Sequence, residues 1–219
     1  MSSFELVIFD CDGVLVDSER LSNQVLADML NELGASVTLD DMFEQFVGFS
    51  MAQILLKSAE LLGRAPPDDF VDAFRQRTNA AFAAHLTVVT GVEAVLDAIS
   101  MPCCVASNGP HGKMRLTLGK TGLLDRFEGR IFSAEDVALG KPAPDLFLHA
   151  ASHFGVAPSA CLVVEDTPTG VAAGIAAGMT VCGYCALTPA TRLIGAGAHS
   201  VFRDMAQLPA LIGRAPEYA

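Results

Sequence analysis

Basic residues are scarce in this 219-residue chain: 14 lysines and arginines stand against 25 aspartates and glutamates, for a formal net charge of −11. So little positive charge offers no footing for nucleic acid or an anionic membrane, both of which need a basic face. A small anionic substrate is not excluded, because a bound metal or one lysine can reverse the field locally. Charged residues of either sign make up only 18%, and hydrophobic residues 51%, the reverse of a disordered composition. Internal repeats and low-complexity linkers are absent, and the length suits one large domain or a core domain with a smaller insert. Met1-Ser2-Ser3-Phe4-Glu5 lacks a basic leader and acids follow at Asp10 and Asp12, so no signal peptide is expected.

Charge is missing altogether from Thr167 to Thr191, where Gly170, Gly174 and Gly178 repeat the GxxxG spacing of membrane helix pairs. Pro168, Pro189 and the break at Gly178-Met179-Thr180 argue against a span. A helix whose small residues pack tightly on a sheet is expected instead. The six cysteines (Cys11, Cys103, Cys104, Cys161, Cys182 and Cys185) fall mostly within apolar runs. That is the usage of free thiols in a reducing compartment, and a cytoplasmic location is expected. Cys182-Gly-Tyr-Cys185 copies redox spacing, but no second pair or nearby histidine completes a zinc site, so core thiols are expected.

The hydrophobic pattern changes type twice. Leu6 to Phe9 is a short apolar run typical of a strand covered on both faces, ending at Asp10-Cys11-Asp12-Gly13. Residues 18 to 85 read as four helices. One stripe, Leu21 to Leu33, stops at Gly34. A capping box at Thr38-x-x-Asp41 opens a second helix, Ser50 to Gly63 bounds a third, and Phe70 to Phe82 marks the last after Pro66-Pro67. From Val92 onward helices and strands alternate. Strands are expected at Cys103–Ala106, Arg130–Ser133, Cys161–Val164 and Thr180–Gly183, and helices at Val92–Ile99, His111–Lys120, Asp145–Phe154, Thr169–Ala177 and Met205–Ile212. This is an α/β pattern: a parallel sheet with helices on both faces, interrupted after its first strand by a helical insert. The expected division is residues 1–16 with 87–219 as the core and 17–86 as the insert, with short joints near 14–17 and 86–90.

Three apolar runs end in polar residues of related chemistry: Asp10 after Val7-Ile8-Phe9, Ser107-Asn108 after Cys104-Val105-Ala106, and Glu165-Asp166 after Leu162-Val163-Val164. In open α/β sheets ligands bind beyond the carboxyl ends of the strands, so the three sets can meet in one crevice. Each could alternatively cap a turn or helix. Asp10 and Asp12, two apart at a strand end, together with Glu165 and Asp166, concentrate as many as four negative charges. Unit charges about 4 Å apart interact by about 4 kcal/mol at an effective dielectric near 20, so such a cluster must take up protons or bind a cation. All-oxygen ligation without histidine suits a hard cation, Mg2+ above all.

Asp10-Cys-Asp12-Gly13-Val-Leu-Val-Asp17-Ser18, then Ser107-Asn108-Gly109, Gly140-Lys141-Pro142 and Glu165-Asp166 resemble the four ordered motifs of the haloacid dehalogenase (HAD) superfamily. Gly170-x-x-Ala173-Gly174-x-x-Ala177-Gly178-Met179 resembles the helix that follows the fourth motif. The resemblance spans essentially the whole chain and implies a HAD-like Rossmannoid core with a four-helix cap. Within the superfamily it is nearest the β-phosphoglucomutase-like branch, and Ser107-Asn-Gly-Pro-His-Gly-Lys-Met further resembles the bacterial 6-phosphogluconate phosphatase type.

The resemblance implies a Mg2+-dependent phosphatase acting on a small sugar or sugar-acid phosphate. Asp10 would be the nucleophile that forms an aspartyl-phosphate, and Asp12 the general acid and then base. Asp10, the Asp12 backbone carbonyl and Asp166 would hold the metal, with Glu165 bound or nearby. Ser107, Asn108 and Lys141 would hold the phosphoryl oxygens. Lys113 and His111 could meet a second substrate anion or be exposed loop residues. Glu135-Asp136 is expected to cap a turn, and His149 with His153 to be a half-exposed helical pair. The rival readings are a phosphosugar mutase, a haloacid dehalogenase and a non-catalytic binding module. Mutases of the branch carry a histidine in the first cap helix and an arginine in the cap loop; this chain has Ser22 and, in Gly48-Phe49-Ser50-Met51, Met51. A metal-free dehalogenase would leave Asp12 and Glu165-Asp166 unexplained. The expected partner is a small phosphorylated metabolite, with no nucleic acid and no membrane, and the expected state is a monomer or weak homo-oligomer.

Overall fold

The computed structural model describes residues 4–47 and 49–213, so the readings that rest on residues 1–3 and on Gly48 lie outside the described residues. The chain divides into two compact units. Asp17–Leu86 form one, and the described residues on either side of that segment form the other.

The first strand, β1 (Leu6–Phe9), is buried along its whole length. The inserted unit follows as α1 (Ser18–Glu32), α2 (Leu39–Gln45), α3 (Met51–Leu62) and α4 (Phe70–His85). Local chemistry sets these boundaries. At the start of α2, Asp41 N donates to Thr38 Oγ1 at 3.2 Å and Thr38 N donates to the Asp41 carboxylate at 2.7 Å, closing a capping box. Ser50 and Gln53 close the same box on α3, which ends at Gly63 with φ of 66°. Leu26, Met29 and Leu30 of α1 pack with Met42, Phe46 and Phe70 to give the insert a core of its own.

The other unit continues through α5 (Val92–Ala98), β2 (Cys103–Ser107), α6 (His111–Lys120), α7 (Leu124–Phe127), β3 (Ile131–Ser133), α8 (Asp145–Phe154), β4 (Cys161–Glu165), α9 (Pro168–Ala176), β5 (Thr180–Tyr184), α10 (Ala190–Gly195), β6 (Ser200–Phe202) and α11 (Leu208–Ile212). Three short elements, α7, α10 and β6, carry too few residues for a periodic signal. The expected helix at Met205–Ile212 is a 3-10 turn, Met205–Gln207, followed by α11. Asp204 caps the turn, and Pro209, with no N–H to donate, sits in the first positions of the helix.

All strand pairs are parallel, in the order β3-β2-β1-β4-β5-β6. Chain order runs one way from β1 to β3 and the other way from β4 to β6, so direction reverses between β1 and β4. Val7 and Phe9 point to one face of β1 and Leu6 and Ile8 to the other; all four are almost fully buried, which shows both faces covered. On the Leu6 and Ile8 face, Leu146, Phe147 and Ala150 of α8 and Val171 and Ala173 of α9 complete a core cluster. The two joints to the insert lie side by side: Val16 pairs with Val88 in an antiparallel bridge, and Val89 N donates to Leu15 O at 3.0 Å.

The uncharged stretch from Thr167 resolves into α9 and β5. No helix among the described residues is long and apolar enough to cross a membrane. Its small residues serve packing. A Cβ on Gly174 would stand 2.6 Å from Val181 Cγ2 and 3.5 Å from Val163 Cγ2, so α9 rests on β4 and β5 at a distance only glycine allows. All six cysteines are free. Gly174→Ala should therefore destabilise the protein by about 1–3 kcal/mol through overpacking. Thermal denaturation checks this: Tm should fall by several degrees, whereas an unchanged Tm would mean that α9 does not need this close approach.

Candidate active site

Parallel strands present their carboxyl ends together, and the reversal between β1 and β4 opens a crevice there. Phe9 pairs with Val164 and Asp10 N donates to Val164 O at 3.0 Å, so Asp10 and Glu165 stand beside each other at the ends of the two central strands. Asp10, Glu165 and Asp166 are all buried, and one carboxylate oxygen of each lies within 4.8 Å of the other two.

One cation meets them. Lys141 Nζ donates to Asp10 Oδ1 and to Glu165 Oε1, each at 2.6 Å, and lies 4.8 Å from the centre of the buried Phe147 ring. Burial opposes the charge on Lys141, yet Asp10 and Glu165 more than offset it and hold its pKa above the ordinary lysine value. Burial pushes the Asp10 carboxyl up to about 7; the nearby Glu165 and Asp12 carboxylates add to the rise, and Lys141 only partly opposes it. Asp10 and Glu165 thus share one ammonium, with the buried Asp166 carboxylate beside them. Such a donor set, all oxygen and all buried, fits a hard divalent cation.

Glu165 is locked from both sides. Its Oε2 accepts from Asp166 N at 3.0 Å, Thr167 N at 3.1 Å and Thr167 Oγ1 at 3.0 Å, while Oε1 meets Lys141. Thr167 also caps α9 by accepting from Gly170 N at 3.1 Å. A Cβ on Gly170 would lie 1.8 Å from Glu165 Oε1, so the carboxylate fills the space a side chain there would take. Sequence reasoning missed Thr167, Gly170 and Phe147 as parts of the site. The N-cap pattern at Thr167 was the available signal; the other two are set by packing alone.

Asp12 turns elsewhere. Its Oδ2 accepts from Lys113 Nζ at 2.7 Å, joining the turn after β1 to α6. Ser107, buried at the end of β2, accepts from Gly109 N at 3.2 Å. The Asn108 amide engages the backbone of Lys141, with Nδ2 donating to its carbonyl at 3.0 Å and Oδ1 accepting from its N–H at 2.8 Å. His111 Nε2 lies 2.9 Å from the carboxylate of Asp136, which also completes a capping box with Ser133; His111 N donates to Glu135. The acids at 135 and 136 therefore cap a turn, as expected. His149 and His153 flank the Phe132 ring at 5.5 and 5.1 Å between centroids.

Fold and site together define a hydrolase of the haloacid dehalogenase class. The family model for haloacid dehalogenase-like hydrolases matches residues 4–178, and the chain belongs to that family, as a member of its phosphatases. It is 35% identical to the 6-phosphogluconate phosphatase of Escherichia coli over 96% of both chains. Among solved structures it is similar to a haloacid dehalogenase-like protein of Agrobacterium tumefaciens, with a TM-score of 0.91 and 36% identity over 95% of this chain and 97% of that one. It is also similar to a HAD family hydrolase of Deinococcus radiodurans with bound phosphate and sodium, with a TM-score of 0.87 and 34% identity over 97% and 96% of the two chains.

The raised Asp10 pKa has a stability consequence in the metal-free protein. The folded state keeps a proton at Asp10 up to about pH 7, whereas the unfolded chain releases it near 3.8. The stability that proton confers is complete below the unfolded value and is lost as pH rises through 7. Asp10→Asn removes this titration. In the presence of a chelator, the wild-type Tm should fall relative to that of Asp10→Asn between about pH 4 and 8. Parallel curves would show that Asp10 does not titrate in this window.

Proposed function

We propose that the chain is a Mg2+-dependent phosphatase that hydrolyses a small sugar or sugar-acid phosphate through an aspartyl-phosphate. The observation that carries this reading is the Asp10–Lys141–Glu165 cluster at the strand-order reversal, a buried nucleophile candidate beside a fixed ammonium. Asp10, Asp166 and the backbone carbonyl of Asp12 would hold the cation, with Glu165 alongside; bound there, it would offset the negative charge of the phosphoryl group and of Asp10.

The chain's own residues divide the remaining work. An Asp10 oxygen forms a bond to phosphorus as the bond to the leaving alkoxide breaks, and Asp12 delivers a proton to that oxygen. Asp12 then takes a proton from water, the water oxygen bonds to phosphorus, and the Asp10 carboxylate is released with inorganic phosphate. Ser107 and Lys141 hold phosphoryl oxygens throughout, and the Lys141 charge stabilises the extra negative charge of each transition state. The phosphate bound by the Deinococcus radiodurans relative supports a phosphoryl-binding crevice in this fold. The Escherichia coli relative acts on a sugar-acid phosphate by its name. Lys113, with a side chain about 40% exposed, is the cation we assign to the carboxylate of such a substrate. Ser22 and Met51 stand where the mutases of the branch carry histidine and arginine, so water is the acceptor in this reading.

A panel of phosphorylated metabolites tests it. Turnover should vanish with a chelator, return with Mg2+, and be absent in Asp10→Asn; full activity after exhaustive chelation would overturn the metal-dependent mechanism. Asp12→Ala should lower kcat/KM, which reports phosphoryl transfer to Asp10, by about 10²–10⁴-fold on an alkyl phosphate, but much less on an aryl phosphate whose leaving group needs no proton. Equal losses would remove Asp12 from the acid role. Lys113→Ala should raise KM for a sugar-acid phosphate more than for the neutral sugar phosphate of the same length, and equal changes would remove the sugar-acid assignment.

A further inference from the structure

The Asn108 amide lies at the end of β2, where a side chain aimed at a phosphoryl group is expected. Its two hydrogen bonds go instead to one residue of another loop. Lys141 N donates to Oδ1 at 2.8 Å, and Nδ2 donates to Lys141 O at 3.0 Å. A planar amide here pairs with both polar groups of a single backbone residue, as a neighbouring strand would. We propose that Asn108 is a positioning residue for Lys141, fixing the base of that side chain so that its ammonium stands between Asp10 and Glu165. This rests on the reading of Lys141 as the phosphoryl-group contact.

Three observations converge on the clamp. First, the segment that carries Lys141 has no strand or helix to hold it: between the 3-10 turn at Ala134–Asp136 and α8 it runs through bends and a turn in which Ala143 N donates to Gly140 O at 3.0 Å. Second, the clamp needs a bare backbone next to it. A Cβ on Gly140 would stand 2.7 Å from Asn108 Oδ1, closer than a Cβ comes to another heavy atom, and in tight contact at 3.0 Å with Ala134 Cβ. Third, the far end of Lys141 must reach two carboxylates at 2.6 Å each. A lysine side chain has four rotatable carbon–carbon bonds, so a small swing at its base carries the ammonium out of reach of one partner. Displacements of about 1 Å at a reacting group can cost on the order of 100-fold in rate.

The test is a pair of double-mutant cycles read as kcat and KM on a sugar phosphate and an aryl phosphate, with Tm measured for every variant. Asn108 is solvent-exposed, so Asn108→Ala should keep a near-wild-type Tm while kcat falls by roughly 10–100-fold. In a Lys141→Ala background the same substitution should change kcat less than about 3-fold, because neighbouring residues that act as one unit do not lose additively. Gly140→Ala should reproduce the Asn108→Ala defect, and combining the two should add little. If Asn108 instead touches the phosphoryl group itself, its loss will multiply with that of Lys141→Ala, and the inhibition constant of inorganic phosphate will rise further in the double variant. That result, or an unchanged kcat in Asn108→Ala, overturns the clamp while leaving the phosphatase reading intact. A wild-type protein that turns over no phosphate ester overturns both.

Discussion

The Lys141 ammonium, buried between the carboxylates of Asp10 and Glu165, is the interaction on which the rest of the site depends. Removing ions of this size from water costs several kcal/mol each, and only close pairing with good hydrogen bonds repays it. The protein supplies that pairing at 2.6 Å on both sides, yet Asp166 adds a third buried carboxylate to the same cluster. Burial above all, with the Glu165 and Asp12 carboxylates adding to it, holds the Asp10 pKa up at about 7, and a cation bound there would favour the ionised carboxylate.

The sheet makes the cluster possible. Because strand order reverses between β1 and β4, the residues after Phe9 and Val164 emerge side by side at the edge of the crevice. Glu165 and Lys141 are then each held by a segment of their own. Glu165 rests over Gly170 and is gripped by Thr167 at the head of α9, while Lys141 arrives from a loop whose backbone meets Asn108. The packing that seats α9 on the sheet through Gly174 also places the helix start under Glu165. Core packing and site geometry are therefore coupled through one helix, and a change in the seat of α9 reaches the carboxylate within two turns.

Much of this was legible in the residues. Apolar runs ending in Asp10, in Ser107 and in Glu165 mark buried parallel strands whether or not the site is known, and α6 and α8 begin and end where Pro110, Pro144 and Gly155 punctuate the chain. What was not legible lies in contacts between segments far apart in sequence. Nothing in the pattern around Asn108 shows that its amide will meet a backbone 33 residues on, or that Lys113 will cross to Asp12, 101 residues away. The expectation that Asn108 holds phosphate came from its neighbourhood in the motif order. The three-residue strand β6 and the short helices α7 and α10 escaped for a plainer reason: period-2 and period-3.6 patterns need more residues than these elements contain.

The central claim is that the Asp10 carboxylate, set beside Lys141, is the atom group that receives the phosphoryl moiety. The most direct measurement is an acid quench during turnover of a sugar phosphate carrying radiolabelled phosphorus, followed by digestion and location of any label on the protein. The account predicts label on the peptide that contains Asp10 in wild type, more of it in Asp12→Ala with an aryl phosphate, and none in Asp10→Asn. Label on a different peptide, or release of phosphate by wild type with no protein-bound label at any quench time in either variant or wild type, would contradict it.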